Sequence, residues 1–229
     1  EIPKRDWSSD VCSSDLTISS TGDAVSFGFL TSGRDYVSSC SNATRGIFAG
    51  GGTSTPTPAS TSNIIDYITI ASTGNAVTFG NLTRITSTVA ALSSPTRGVF
   101  GGGNPTTNVI DYITISTLGN ATTFGNLTVS RFGPGACSNA TRGIFAGGAT
   151  PTPAANTTLN VIDYITTSTL GNATTFGNLT VSRFYISGSS SSTRGVFGGG
   201  YSGGSSNTID YVRSEEHTSE LQSRFGISY

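Results

Sequence analysis

The sequence predicts an all-β fold, a propeller of four repeat units each made of a four-stranded antiparallel blade, and three observations predict it. A phrase recurs as TRGIFAGG (44–51), TRGVFGGG (96–103), TRGIFAGG (141–148) and TRGVFGGG (193–200). Each copy is followed by Ile-Asp-Tyr. The aspartates Asp66, Asp111, Asp163 and Asp210 are spaced by 45, 52 and 47 residues, and the arginines Arg45, Arg97, Arg142 and Arg194 by 52, 45 and 52. A period near fifty marks a propeller or a related array. The segments between these landmarks are short β-branched and aromatic runs bounded by Gly and Asn, which suits short strands joined by tight turns.

Cutting just after each Ile-Asp-Tyr gives units 17–67, 68–112, 113–164 and 165–211. Within a unit, Gly-Ile-Phe-Ala (46–49) and its copies form one strand, stopped by a Gly pair that permits a sharp turn. Residues 109–115 (VIDYITI) and their equivalents form another, with too few polar interruptions for a strand that has one face in water. A Gly-Asn turn (Gly74-Asn75, Gly119-Asn120, Gly171-Asn172) then leads into Ala-x-Thr-Phe-Gly, a third strand. The less regular stretch before each TRG supplies the fourth. Blades stacked in this way bury both faces of their sheets. The expected form is a partial or truncated ring with exposed edge strands at its ends.

The two termini stand outside the repeat. DNA encoding RSEEHTSELQS (213–223) encodes DWSSDVCSSDL (6–16) when read as its reverse complement. Segments 1–16 and 213–229 therefore resemble a short-read sequencing adapter carried into a reading frame, and are expected to be non-native. Trp7, His217, Lys4 and Cys12 all fall in them. The stretch from 17 to 212 holds eight Arg and six Asp, and no Lys, His, Glu, Met or Trp.

Over the whole chain only 11% of residues are charged and the net charge is -1. That lacks the basic stripe of a nucleic-acid binder. No apolar run is long enough for a membrane-spanning helix. Without His, Lys or Glu between 17 and 212, a nucleophile has no evident general base beyond Asp, so an enzyme is not expected. No cofactor or metal is expected either.

On Gly101-Gly102, Tyr112, Phe124, Leu127 and Arg131, and again on Gly147-Gly148, Tyr164, Phe176, Leu179 and Arg183, the chain resembles the kelch repeat over most of 17–212. Phe stands throughout where that pattern usually has Trp, and Arg84 lies two residues early. The resemblance implies a kelch-like β-propeller, and leaves the His-containing metal site of kelch-type copper oxidases unmatched. The Gly-Asn-Ala-Thr-x-Phe-Gly phrases are also similar to repeats of predicted virion or tail-associated proteins of marine phages.

The recurring charges admit two readings. Four aspartates could ring a channel and hold a hard cation. The preferred reading is structural: Arg45, Arg97, Arg142 and Arg194 pair with Asp66, Asp111, Asp163 and Asp210, because either charge buried alone would be costly. Cys40 and Cys137 occupy one repeat position, filled by Leu92 and Ser189 in the other units, which reads as a small buried site. Eight Asn-x-Ser/Thr sequons occur, and Asn at repeated turns explains them most simply.

Length differences concentrate in the loops 52–62, 103–107, 149–159 and 201–206. Variable loops on a rigid scaffold are where recognition usually sits. Thr55, Thr57, Asn104, Thr152, Asn156 and Tyr201 are the candidate ligand contacts, with Tyr201 first as the one aromatic. The expected function is a noncatalytic binding or structural module recognising a glycan or receptor on a virion or cell surface. An intracellular protein-protein adaptor is the alternative.

Overall fold

The computed structural model describes residues 22–53, 60–153 and 156–213. Segment 1–16, residues 214–229, Thr55 and Thr57 lie outside the described residues.

The described residues form antiparallel β-structure without a helix. The first sheet holds Ser38–Ser41, Arg45–Ala49, Ile64–Thr69 and Val77–Asn81, hydrogen-bonded in that order. The second holds Ala90–Ser93, Arg97–Gly101, Thr107–Thr114 and Thr122–Arg131. The third holds Gly135–Ser138, Arg142–Ala146, Val161–Thr166 and Thr174–Asn178. The fourth has three strands among the described residues: Ser187–Ser190, Arg194–Gly198 and Ile209–Arg213. Arg213, placed by sequence in the terminal segment, pairs with Arg194 at the end of this sheet.

The sheets begin before each TRG, so every boundary drawn after the Tyr passes through a third strand. Two loops carry ribbons of their own, Gly52–Thr53 with Ser60–Thr61 and Ala149–Pro151 with Asn156–Thr158.

Each pair of successive sheets encloses a core. Ile47, Ile65, Phe79, Leu82, Phe100 and Ile113 fill the first interface; Leu92, Val99, Ile110, Phe124, Phe145 and Ile165 fill the second. Cys137, Ile144, Ile162, Leu179, Phe197 and Val212 fill the third. Burial on both faces explains why the strands lack polar alternation.

A β-bulge in the fourth strand serves these cores. In the first sheet Ile65 pairs with Gly80 and Asp66 with Thr78, leaving Phe79 as the extra residue. Phe124 and Phe176 hold the same place in the second and third sheets. The bulge turns each ring edge-on to a neighbouring tyrosine, Tyr67, Tyr112 or Tyr164, at 5.9, 5.9 and 6.2 Å.

The aspartates are paired, but with other arginines than the sequence suggested. Asp66 binds Arg34 at 2.5 Å, Asp111 binds Arg84 at 2.8 Å, and Asp163 binds Arg131 at 2.7 Å. Asp210 and Arg183 approach to 2.9 Å without hydrogen-bond alignment. The register explains the correction: Arg142 faces Thr166 while Asp163 faces Phe145, three residues along the strand. At about 3.4 Å per residue that is roughly 10 Å. The actual partners stand at the end of the preceding sheet's last strand, as Arg131 does, or just after it, as Arg84 and Arg183 do, and reach forward into the next sheet. The pairs therefore lock sheet to sheet rather than strand to strand.

Arg45, Arg97, Arg142 and Arg194 instead lie over the rings of Tyr67, Tyr112, Tyr164 and Tyr211, at 4.8, 4.9, 4.7 and 5.2 Å. Arg45 also donates to Ile115 O at 2.6 Å and Arg97 to Thr167 O at 2.8 Å.

The TRG glycine has a packing reason. A Cβ on Gly98 would stand 2.9 Å from Cys40 Sγ, one on Gly143 2.7 Å from the Leu92 methyls, and one on Gly195 2.7 Å from Cys137 Sγ. The first strand of each sheet thus presses a side chain into a gap that glycine leaves in the next. Cys137 is buried, Cys40 is half-buried, and both are free thiols. Burial pushes each thiol up to about 12.

Candidate functional site

The first strands of the four sheets lie side by side, tied by a serine ladder. Ser93 Oγ donates to Ser41 O at 2.7 Å, Ser138 Oγ to Ser93 O at 2.6 Å, and Ser190 Oγ to Ser138 O at 2.6 Å. Each first strand is entered through a residue with left-handed backbone: Tyr36 (φ 53), Thr88 (φ 52), Gly133 (φ 60) and Tyr185 (φ 55). Such a conformation costs a non-glycine residue about 1–3 kcal/mol and is common at functional sites. Gly133 N donates to Thr88 O at 3.0 Å and Tyr185 N to Gly133 O at 2.7 Å, so three of the four are fixed to one another.

Around these residues opens a mouth of about 370 Å³, lined by Tyr36, Val89, Pro134, Tyr185 and Ile186 among others. The opposite end of the same strands is lined by Ser41, Asn42, Ser94, Asn139 and Ser191. One end is aromatic and the other is serine- and asparagine-rich.

The variable loops belong to the aromatic end. Backbone bridges join Asp35 to Gly52, Ser87 to Asn104, Phe132 to Ala149 and Phe184 to Tyr201. Tyr201 N donates to Phe184 O at 2.8 Å, which sets the Tyr201 ring edge-on to Phe184 at 5.5 Å. Phe184 and Phe132, themselves 5.5 Å apart, are buried together with Ala149 and form the floor. Tyr185 touches both, at 4.5 and 6.2 Å, and stacks on Tyr36 at 6.4 Å with planes 23° apart. Tyr36, Tyr185 and Tyr201 remain 62%, 50% and 46% exposed. Burial pushes the Tyr185 phenol up, and Tyr36 beside it pushes the same way. The hydroxyl stays a neutral donor.

Sequence reasoning named Tyr201 and missed Tyr36, Tyr185, Phe132 and Phe184. Their signal is variation within the repeat: positions 36, 88, 133 and 185 read Tyr, Thr, Gly and Tyr, and the positions before them read Asp, Ser, Phe and Phe. Asn104 occupies in the second unit the bridge position of Tyr201 in the fourth, and is exposed. Thr152 and Asn156 lie exposed at the end of the Ala149–Pro151 ribbon. These three share the loop side with the cluster, each on its own loop.

A cavity of about 200 Å³ between the third and fourth sheets is lined by Arg142, Arg194 and Arg213. In the first two interfaces the turn after the next third strand offers a carbonyl to the corresponding arginine. The equivalent position after Ile209–Arg213 is residue 214, outside the described residues. Among the described residues no three His, Cys, Asp or Glu side chains gather to hold a metal ion. No helix there is long and apolar enough to cross a membrane.

The fold and the site together describe an antiparallel β-repeat protein with an aromatic platform on its loop side. No family model matches the sequence, and no curated protein matches it.

Proposed function

We propose that the chain is a noncatalytic kelch-like β-propeller segment whose loop side recognises glycans, as a surface module of the kind found on virions or tail fibres. The observation that carries this reading is the platform of exposed Tyr36, Tyr185 and Tyr201 over a buried Phe132–Phe184 floor. Exposed aromatic faces beside hydroxyls suit the alternating apolar and polar faces of a sugar ring. The stack of like sheets and the neighbouring first strands support the propeller. The uncharged Thr, Ser and Asn loops fit a ligand bound by hydrogen bonds rather than by charge.

A glycan array, followed by calorimetry on any hit, tests the reading. Tyr201→Ala and Tyr185→Ala should each weaken binding at least tenfold, about 1.4 kcal/mol, while leaving the melting temperature within a few degrees. A stoichiometric protein partner with no glycan signal would instead establish the kelch-type protein-protein adaptor.

A further inference from the structure

The three interfaces between successive sheets are built alike, and the two end faces of the stack are the halves of a fourth. On the face leaving the fourth sheet, Ile209 is 71% exposed, whereas its equivalents Ile65, Ile110 and Ile162 are at 0, 0 and 2%. On the face entering the first sheet, Phe48 is half-buried where Phe100, Phe145 and Phe197 are at 0%. Ile70 there is 43% exposed where Ile115 is at 0%.

The strands are complementary as well. No described residue pairs with the outer edge of Ile209–Arg213. Ahead of the first sheet, residues 24–31 (AVSFGFLT) repeat 76–83 (AVTFGNLT) and 121–128 (ATTFGNLT), which carry the fourth strands of the first two sheets. The 24–31 segment is docked as those strands are: Gly74 N donates to Phe27 O and Ala76 N to Phe29 O, both at 2.8 Å, just as Gly119 and Ala121 donate to Phe79 and Asn81. Thr31 and Arg34 grip Asp66 at 2.7 and 2.5 Å. Yet Phe27 and Leu30 are only half-buried where Phe79 and Phe124 are at 4% and Leu82 and Leu127 at 3%, and Phe29 is 73% exposed. Among the described residues, one end offers a fourth strand without a sheet, and the other a sheet with three strands.

We propose that a second copy of this chain completes the fourth sheet, head to tail, with its segment 25–29 paired to Ile209–Arg213. The internal register places Tyr211 opposite Val25, Asp210 opposite Ser26 and Ile209 opposite Gly28, with Phe27 at the bulge edge-on to Tyr211. Ile209 and Val196 of one copy then cover Phe48 and Ile70 of the other, and Arg194 donates to Ile70 O as Arg45 does to Ile115 O. Two such junctions related by a twofold axis close a ring of eight units, within the four to eight blades of known propellers. The chain's own segment 25–29 is not the occupant: among the described residues the first and fourth sheets meet only at the mouth, where Tyr36 stacks on Tyr185, and no strand of one pairs with a strand of the other.

The inference rests on the propeller reading, and a cysteine pair separates their failures. In the full chain carrying Cys12→Ser, Tyr211→Cys with Val25→Cys puts two thiols directly opposite, within the roughly 4.4–6.8 Å Cα separation a disulfide needs. Tyr112→Cys with Thr122→Cys is the matching pair inside the second sheet. The expected result is an interchain disulfide dimer from the first pair and an intrachain bond from the second. The chain without these cysteines should sediment as a dimer that Ile209→Lys converts to monomer. An intrachain bond from the first pair, no bond from it while the control forms, or a monomer at every concentration overturns the dimer alone. Failure of the control overturns the propeller reading and the dimer with it.

Discussion

Replacing Arg131 with Ala while Asp163 stays in place tests the lock between the second and third sheets. Both side chains are at 0% exposure and 2.7 Å apart. After the substitution Asp163 keeps only the Thr128 amide at 3.1 Å and hydroxyl at 2.6 Å. Breaking one partner from a buried pair costs about 3–5 kcal/mol, since the other charge is left in low dielectric. For a chain of this size each kcal/mol moves the melting temperature by about 2–4 °C, so a fall of roughly 6–20 °C is expected. Arg142→Ala loses only a solvent-exposed stack on Tyr164, worth about 0.5–1 kcal/mol. Urea titrations of the single and double variants with Asp163→Asn complete two cycles. Coupling well above 1 kcal/mol is expected for Arg131 with Asp163, and under about 0.5 kcal/mol for Arg142 with Asp163. The reverse order of couplings would refute the assignment of the pair. Should Arg131→Ala not fold, Thr128→Val, which removes the hydroxyl that donates to Asp163, is expected to cost about 1 kcal/mol.

Two further outcomes follow from the packing. Gly143→Ala brings a Cβ to 2.7 Å from the Leu92 methyls and should cost about 1–3 kcal/mol by thermal melting, with much of that loss recovered in Leu92→Ala. Gly177→Ala, which meets nothing within 4 Å, should change stability by less than about 0.5 kcal/mol. Cys137 ionises in the unfolded chain near its ordinary value of 9.0 but only at about 12 when folded, so its contribution is constant below pH 9 and lost as pH rises above it. Between pH 8 and pH 10 the protein should lose about 1 kcal/mol that Cys137→Ala does not lose, read by urea titration at both pH values.

The fold was more legible than the site, for a physical reason visible in single residues. Period and phrase revealed the strands because the same packing problem is solved in each unit: a Phe at the bulge, a Gly to admit the neighbour's side chain, a Gly-Asn turn. Arg45 and Asp66 misled because recurrence at equal counts does not encode register, and a three-residue offset along a strand puts opposite charges out of reach. Arg34, Arg84, Arg131 and Arg183 recur as often, at spacings of 50, 47 and 52, but stand where the chain passes from one sheet to the next, outside the TRG phrase. The sheet boundaries were displaced because a repeat has a period and no intrinsic phase. Only pairing shows that the stretch before TRG opens a sheet.

What distinguishes one unit from another is a better guide to function than what they share. Identical positions are constrained by identical interfaces, so Phe100, Phe145 and Phe197 report packing alone. At the mouth the constraint is looser: the left-handed position accepts Gly133 at little cost, and Thr88, Tyr36 and Tyr185 at a strain that packing does not require. A tyrosine there is held outward by its backbone and stacked on its counterpart three sheets away. Tyr201 adds a third ring through the same bridge that in the second unit carries Asn104. Tyr36 and Tyr185 are thus where the proposed glycan recognition can be separated from stability: Tyr185→Gly should relieve backbone strain and, on that reading, abolish glycan binding.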